Sequence, residues 1–557
     1  MAHINSSIGF RPDLRRLRQR VQHVVQVSAI AVVAAAFTFW TGSVGIMPLD
    51  QSIIFDGGWR VLSGQVPWVD FNTPSGTVPI LLQAAWFKLL DVSWTSYVLH
   101  AAVTNVLYAI FVYALFNRLF HWNILAFYFA VVSSFFMYPP IGTPYMDQHA
   151  MILTFVTLGL CLWGALAESP VSRAVAWFLM PFVGVLAFHS KQIPSGPAIV
   201  FIIAVAIYML MRRPDHYRHA FIAALAGSAL ALSALLLTIY LTSGFEKYFF
   251  WHFEMPLAQA SARATVTTTR LLVVWSLSVA SALPILIGLH LALRMGINGA
   301  RGLVVMPVAA VTIGLLILSA SLAAITMNAP IIALAYYPAE VALCYYLLSK
   351  KRRAKFPEST QNLYSFRALL LTLSALAALY SVLPISKRLM NEFHDTDLST
   401  SVPAETIHPR LAGLQWITPR WLDFYGNERK PENYKALIEA ISARPGNFML
   451  VGDAAVLYGA LGRPSVSPSL WFHEGLAIPL TASPARAVFE AELARSFVRH
   501  DVRYVILDGD RTWMGSKWQD FAVLRACLDP KVPETQVIGR FRIVPIAPDC
   551  IRRSIPS

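Results

Sequence analysis

Apolar runs separated by short polar segments dominate the first two thirds of this chain. About 20 apolar residues cross a bilayer as a helix. On that measure the candidate spans are Val24–Gly45, Trp94–Phe116, Ile124–Tyr138, Ala150–Ala167, Ala174–Phe188, Pro197–Met211, Ala220–Leu241, Leu271–Leu293, Leu303–Ile325, Ile331–Leu348 and Ala368–Leu383. The pattern predicts about eleven transmembrane helices, of which the third, fifth and sixth are short for a full crossing. Thr77–Leu90 is also apolar but brief, follows Pro74 and Gly76, and contains Pro79. From about Ser386 the runs shorten and Asp, Glu, Arg, Pro and Gly rise. There Phe448–Asp453 and Val502–Leu507 read as buried strands, and Pro484–Phe497 as a helix with Ser483 as its N-cap. Strand, helix, strand in that order predicts a small α/β module with some parallel pairing. The expected architecture is a polytopic α-helical membrane domain over residues 1–385 and a soluble α/β domain over 386–557.

Composition strengthens this reading. The chain is 56% hydrophobic and 14% charged, with a mean hydropathy of +0.54. The net charge of +14 would suit nucleic acid, but no segment interleaves basic and aromatic residues on a soluble surface, so nucleic acid is set aside. The basic residues instead cluster between apolar runs, where they set topology. If Thr77–Leu90 does not cross, then the N-terminal arginines, Arg118, Arg173, Arg212, Arg213, Arg218, Arg294, Arg301 and the run Lys350 to Lys355 share one side, the cytoplasm. Thr77–Leu90 is therefore expected to lie at the interface or to dip in and return. The loop after the first span, the Pro139–His149 loop, His189–Gln192, Ser243–Thr269 and the tail then face the other side. Of the four cysteines, Cys161 and Cys344 fall in apolar spans, whereas Cys527 and Cys550 lie in the tail and can pair if it is exported.

Candidate chemistry gathers at that outer face. Asp50, Asp56, Arg60 and Asp70 follow the first span closely, where ionisable groups mark sites by default. Asp147 and His149 open another span, and Lys191 closes one on the side where bases are otherwise scarce. Each has a plainer reading. Asp50 and Asp147 could cap helices, His149 could be an interface histidine, and Lys191 could snorkel. Tyr248, Trp251 and Phe253 look like an interfacial aromatic belt. His189, His252 and Glu254 leave room for a divalent metal, on nonspecific spacing.

Asp50-Gln51, Gly64-Gln65-Val66-Pro67-Trp68-Val69-Asp70-Phe71, Thr73-Pro74-Ser75-Gly76 and the run ending Phe87-Lys88-Leu89-Leu90 resemble the first extracytoplasmic loop of the C-type (GT-C) membrane glycosyltransferases. These include the protein O-mannosyltransferases and the lipid A aminoarabinose transferase. Tyr145-Met-Asp147-Gln-His149, His189-Ser-Lys191-Gln192 and Val451-Gly-Asp453 through Gly462-Arg463-Pro464 are similar to later elements of the same family. Gln51 stands where the family usually carries Glu. The resemblance implies juxtamembrane helices in the first periplasmic loop and a catalytic aspartate at Asp50. It also implies a polyprenyl-phosphate sugar donor, a lipid, glycan or protein acceptor, and residence in a bacterial inner membrane with a cytoplasmic N-terminus and a periplasmic tail.

The chemistry fits one carboxylate. A phosphate leaves as an anion, so no general acid is needed, in contrast to glycosidases that expel an alcohol. One base and one cationic clamp suffice. Asp50 is the candidate base and Lys191 the candidate clamp, with Arg270 and Arg60 behind it. Asp56, Asp147 and His149 are further candidates for substrate contact. A single displacement would invert the anomeric centre. The rival readings are a lipid-linked oligosaccharide ligase or polymerase, a secondary transporter and a membrane scaffold.

Overall fold

Long apolar runs have little choice but helix, because only helix satisfies every backbone group within one segment of a membrane protein. The computed structural model of the chain describes residues 11–46, 48–73, 75–120, 123–136, 142–262, 401–416, 430–509, 517–529 and 532–546. The four predicted spans between Leu271 and Leu383 lie outside these residues.

The N-terminal part is built from α1 (Arg11–Ser43), α2 (Pro48–Leu62), α3 (Val78–Leu90), α4 (Trp94–Phe120), α5 (Asn123–Phe136), α6 (Met146–Leu166), α7 (Pro170–Phe188), α8 (Gln192–Arg212), α9 (Pro214–Leu241), α10 (Phe245–Phe249), a π-helical stretch Phe250–Glu254, and α11 (Met255–Ala262). Six of these, α1, α4, α6, α7, α8 and α9, are long and apolar enough to cross a membrane. With 14 residues, α5 is not. Several helices start earlier than their apolar runs, because polar first turns such as Arg11–Arg20 and Pro214–His219 are helical too. Ile193 is extended (φ −119°, ψ 127°) and precedes a proline in the sequence, which disfavours the helical conformation there. This sets Lys191 and Gln192 apart from the regular body of α8.

One apolar core gathers α1 and α4 to α9 around Tyr108, Phe116, Phe155 and Trp177. The outward face of α9 carries Leu225, Leu230, Leu232, Leu236 and Leu237, all exposed, as expected of a helix whose solvent is lipid. Arg173, expected on the cytoplasmic side, is buried. Its guanidinium donates to the carbonyls of Ala167 and His216 and so ties α7 to the start of α9.

The C-terminal part contains a short ribbon of β1 (Val402–Pro403) and β2 (Gln415–Trp416), then α12 (Pro431–Ser442), β3 (Asn447–Val451), α13 (Val456–Leu461), α14 (Ala485–Arg499), β4 (Val502–Asp508), α15 (Ala522–Cys527), β5 (Gln536–Ile538) and β6 (Phe541–Pro545). The sheet order is β3-β4-β6-β5. β3 runs parallel to β4, as the strand–helix–strand pattern predicts, and β6 is antiparallel to both β4 and β5. β4 is buried on both faces, which explains its unbroken run from Tyr504 to Leu507. Ser483, expected as the N-cap of α14, lies one residue outside that position. Pro484 is the N-cap, and the Ser483 hydroxyl accepts from the Ala485 amide at 3.3 Å. Cys527 is disulfide-bonded; Cys550 lies outside the described residues.

A second core crosses between the two parts. Phe55 and Phe87 from α2 and α3, with Trp94 and Tyr97 from α4, join Trp416, Tyr434, Phe448, Tyr458 and Phe541. The two loop helices pack closely because α2 carries Gly57 and Gly58. A Cβ on Gly58 would stand 2.6 Å from Gln83 Cγ, and one on Gly57 would stand 2.9 Å from Ile80 Cγ1.

Candidate active site

Asp50 lies in the first turn of α2. A carboxylate is favoured there by the unpaired amides and dipole of a helix N-terminus. Its side is half-buried, and the Tyr145 hydroxyl donates to Asp50 Oδ1 at 3.2 Å. Tyr145 is the extended N-cap residue of α6 (φ −144°, ψ 153°). Burial, reinforced by the Asp50 and Asp147 carboxylates, holds its phenol well above the usual tyrosine value, so it stays a donor. Behind it, Tyr97 donates to the Pro144 carbonyl at 3.3 Å and braces the loop that leads into Tyr145.

Asp147, two residues further on, forms an ion pair with Lys191 Nζ. Lys191 is the residue just before α8, with 25% of its side chain exposed against 8% for Asp147. His149, one half-turn deeper in α6, turns away from this pair. Its Nδ1 bonds the Tyr145 carbonyl at 2.9 Å, its Nε2 lies 3.1 Å from His100 Nε2, and His100 Nδ1 lies 2.9 Å from Gln83 Oε1. The structure therefore brings Asp50, Asp147, Lys191 and His149 into one neighbourhood, with Tyr145 as the hub.

Asp56 and Arg60 are elsewhere. They sit 0% and 1% exposed on the face of α2 that meets the C-terminal part. Arg60 Nε donates to Asp56 at 2.7 Å, its terminal nitrogen donates to the Ser467 carbonyl at 2.7 Å, and the Ser465 hydroxyl donates to the other Asp56 oxygen. Their environment is an inter-segment seam rather than an opening a substrate could reach. Around them Trp59 Nε1 donates to the Arg463 carbonyl, Gln65 to the Ser465 carbonyl and Asn72 to the Ala477 carbonyl. Asp70 is tied outward to Arg499 at 2.8 Å. Arg270 lies outside the described residues.

The histidines read as metal candidates are packed as rings. His189 and His252 stack with centroids 5.2 Å apart and 4° between planes. Such faces do not converge on an ion, and among the described residues no group of three or more His, Cys, Asp or Glu could hold a metal. Tyr248, expected in an interfacial aromatic belt, is buried against Trp68, and its hydroxyl lies 3.2 Å from His189 Nε2. Gln192 donates to the His252 carbonyl at 2.9 Å. Burial pushes the His189 imidazole down to about 4, and burial with the neighbouring His189 pushes His252 down to about 3. This aromatic cluster backs the strand of residues that carries Lys191.

Sequence reasoning did not single out Tyr97, His100 or Gln83, and quoted Tyr145 without a role. The signal for Tyr145 was its place two residues before Asp147. The others have none, since they meet the site only by helix packing.

The fold is similar to that of ArnT from Cupriavidus metallidurans bound to undecaprenyl phosphate, at 13% identity and a TM-score of 0.52, over 95% of this chain and 99% of that one. The apo state of the same protein matches at 12% identity and a TM-score of 0.52, over 96% and 99%. At these identities the likeness is one of fold. No family model matches the chain, and neither does any curated protein.

Proposed function

We propose that this chain is an integral membrane glycosyltransferase of the C-type architecture. In this reading it moves a sugar from a polyprenyl-phosphate donor to an acceptor on the periplasmic side of a bacterial inner membrane. Residues 1–385 would be the catalytic membrane part, with about eleven crossings, and 386–557 a periplasmic α/β domain. The observation that carries the reading is the half-buried Asp50 carboxylate held by Tyr145 beside the Lys191–Asp147 pair. It occurs in a fold whose solved relative holds undecaprenyl phosphate.

The Asp50 carboxylate takes the proton of the acceptor hydroxyl as that oxygen attacks the anomeric carbon. The Tyr145 phenol donates to one carboxylate oxygen and so orients the group. The C–O bond to phosphate breaks with its electron pair on the phosphate, which departs as an anion and needs no proton. Lys191 stabilises that anion, exchanging its bond to Asp147 for one to phosphate. One displacement inverts the anomeric centre.

Two measurements test this. Sugar transfer from the lipid-phosphate donor pool in membranes should fall about 100-fold or more in Asp50→Asn, the range for loss of a general base; near-normal transfer removes Asp50 from the role. Native mass spectrometry with added undecaprenyl phosphate should show the lipid bound to the unmodified protein and weakened by Lys191→Ala; equal binding reassigns Lys191.

A further inference from the structure

We propose that Gln83, His100 and His149 form a buried hydrogen-bond relay that positions Tyr145, and through it Asp50. The inference rests on the reading of Asp50 as the base. All three side chains are at most 1% exposed, and each comes from a different helix, α3, α4 and α6.

The polarity of the relay follows from its last member. The Tyr145 carbonyl can only accept, so His149 Nδ1 carries a proton and donates to it at 2.9 Å. With both rings neutral, the form that burial favours, His149 Nε2 is then an acceptor. His100 Nε2, 3.1 Å away, must donate to it, which leaves His100 Nδ1 as an acceptor. Its neighbour at 2.9 Å, Gln83, must therefore present its amide N–H₂. That orientation moves the amide end that lacks a partner among the described residues from the nitrogen to the oxygen, leaving one acceptor unmatched in place of two donors. Amide oxygen and nitrogen are interchangeable in shape, so the swap needs no movement. Every proton then points one way, from Gln83 to the Tyr145 carbonyl.

The relay closes a ring. Gln83 packs on Gly58 of α2, the helix that begins with Asp50. The Tyr145 carbonyl accepts from the His149 amide (3.2 Å) as well as from its ring, and the Tyr145 phenol returns to Asp50. Trp86 stacks near His100, with centroids 6.3 Å apart, and covers the middle of the path. The N-cap geometry that aims the phenol is thus fixed from four helices rather than by α6 alone.

The histidines are positioning residues, so the test separates geometry from folding. Solid-state NMR of ¹⁵N-histidine protein in lipid vesicles should show one ring protonated at Nδ1, lost in His149→Asn, and one at Nε2, lost in His100→Gln. Two Nε2–H rings, or an imidazolium in the pair, would overturn the relay, and this readout needs no variant to be active. In transfer assays, His149→Phe should lower kcat about tenfold while leaving KM for the lipid donor unchanged, an effect of misplacement rather than lost binding. His149→Asn, which keeps a donor near Nδ1, should restore most of kcat. An unchanged kcat in His149→Phe, or no rescue by His149→Asn, also overturns it. If Asp50→Asn transfers sugar normally while the tautomers are as stated, the base assignment has failed and the relay has not.

Discussion

Single side chains at this site are set by what burial does to charge and protons. Tyr145 remains a phenol because it is buried between two carboxylates, and as a phenol it can only donate to Asp50. Replacing it with Phe should reduce kcat about tenfold with a small change in donor KM, measured by transfer in membranes. His189 and His252 give a pH signature. Both are held below their unfolded value of about 6.5, at about 4 and about 3. Below 6.5 the unfolded chain binds protons that the folded protein does not. Stability is therefore fully present above that pH and is lost as pH falls toward the folded values. Thermal unfolding in detergent should show a midpoint that drops between about pH 6.5 and about pH 4, and the drop should flatten in a His189→Gln, His252→Gln double variant. At this scale the sequence was informative where charge is scarce. Asp50, Asp147 and Lys191 stood out because apolar sequence surrounds them. Asp56 and Arg60 stood out for the same reason, yet they belong to a seam, because scarcity of charge marks any enclosed polar group and not its purpose.

Helices and loops show a different balance. The described spans were legible from their apolar runs, and Thr77–Leu90 emerged as the short helix Val78–Leu90. Helix starts were less legible, since polar first turns carry no apolar signal. The turn before α3 was legible as a Pro-Ser-Gly punctuation but not in its purpose. Gly76 donates to the Ser190 carbonyl at 3.3 Å and Val78 donates to the His189 carbonyl at 2.9 Å, so the turn docks on the segment that delivers Lys191. A Cβ on Gly76 would stand 1.7 Å from the His189 carbonyl oxygen, and backbone cannot step aside as a side chain can. Gly76→Ala should therefore weaken undecaprenyl phosphate binding and lower the unfolding midpoint. Gly58→Ala meets the Gln83 side chain at 2.6 Å and the Ala84 backbone nitrogen only at 3.2 Å, and should do less. Equal, small effects of the two substitutions would show that the docked turn does not set the position of Lys191.

The whole molecule is joined where the opening loop meets the tail. Asp56 and Arg60 are buried as a pair against Ser465 and Ser467. Removing one partner strands the other, at a cost of about 3–5 kcal/mol, whereas replacing both is milder. Arg60→Met should lower the unfolding midpoint more than the Asp56→Leu, Arg60→Met double variant; the reverse order would deny the pair its structural part. The proposed orientation predicts that a periplasm-active reporter is active after Leu398 or Ser557 and silent after Lys355. None of this joint could be read from periodicity, because its bonds link residues 409 and 407 positions apart. That distance in sequence has a consequence for biogenesis. The polar face of α2 emerges from the ribosome hundreds of residues ahead of the serines that satisfy it, and it must wait, wet or chaperoned, until the C-terminal segment has been made and folded. Closure of the seam would then come in a single late step, and a nascent chain cut short before Ser465 would leave Asp56 and Arg60 without the partners that the distant serine segment supplies.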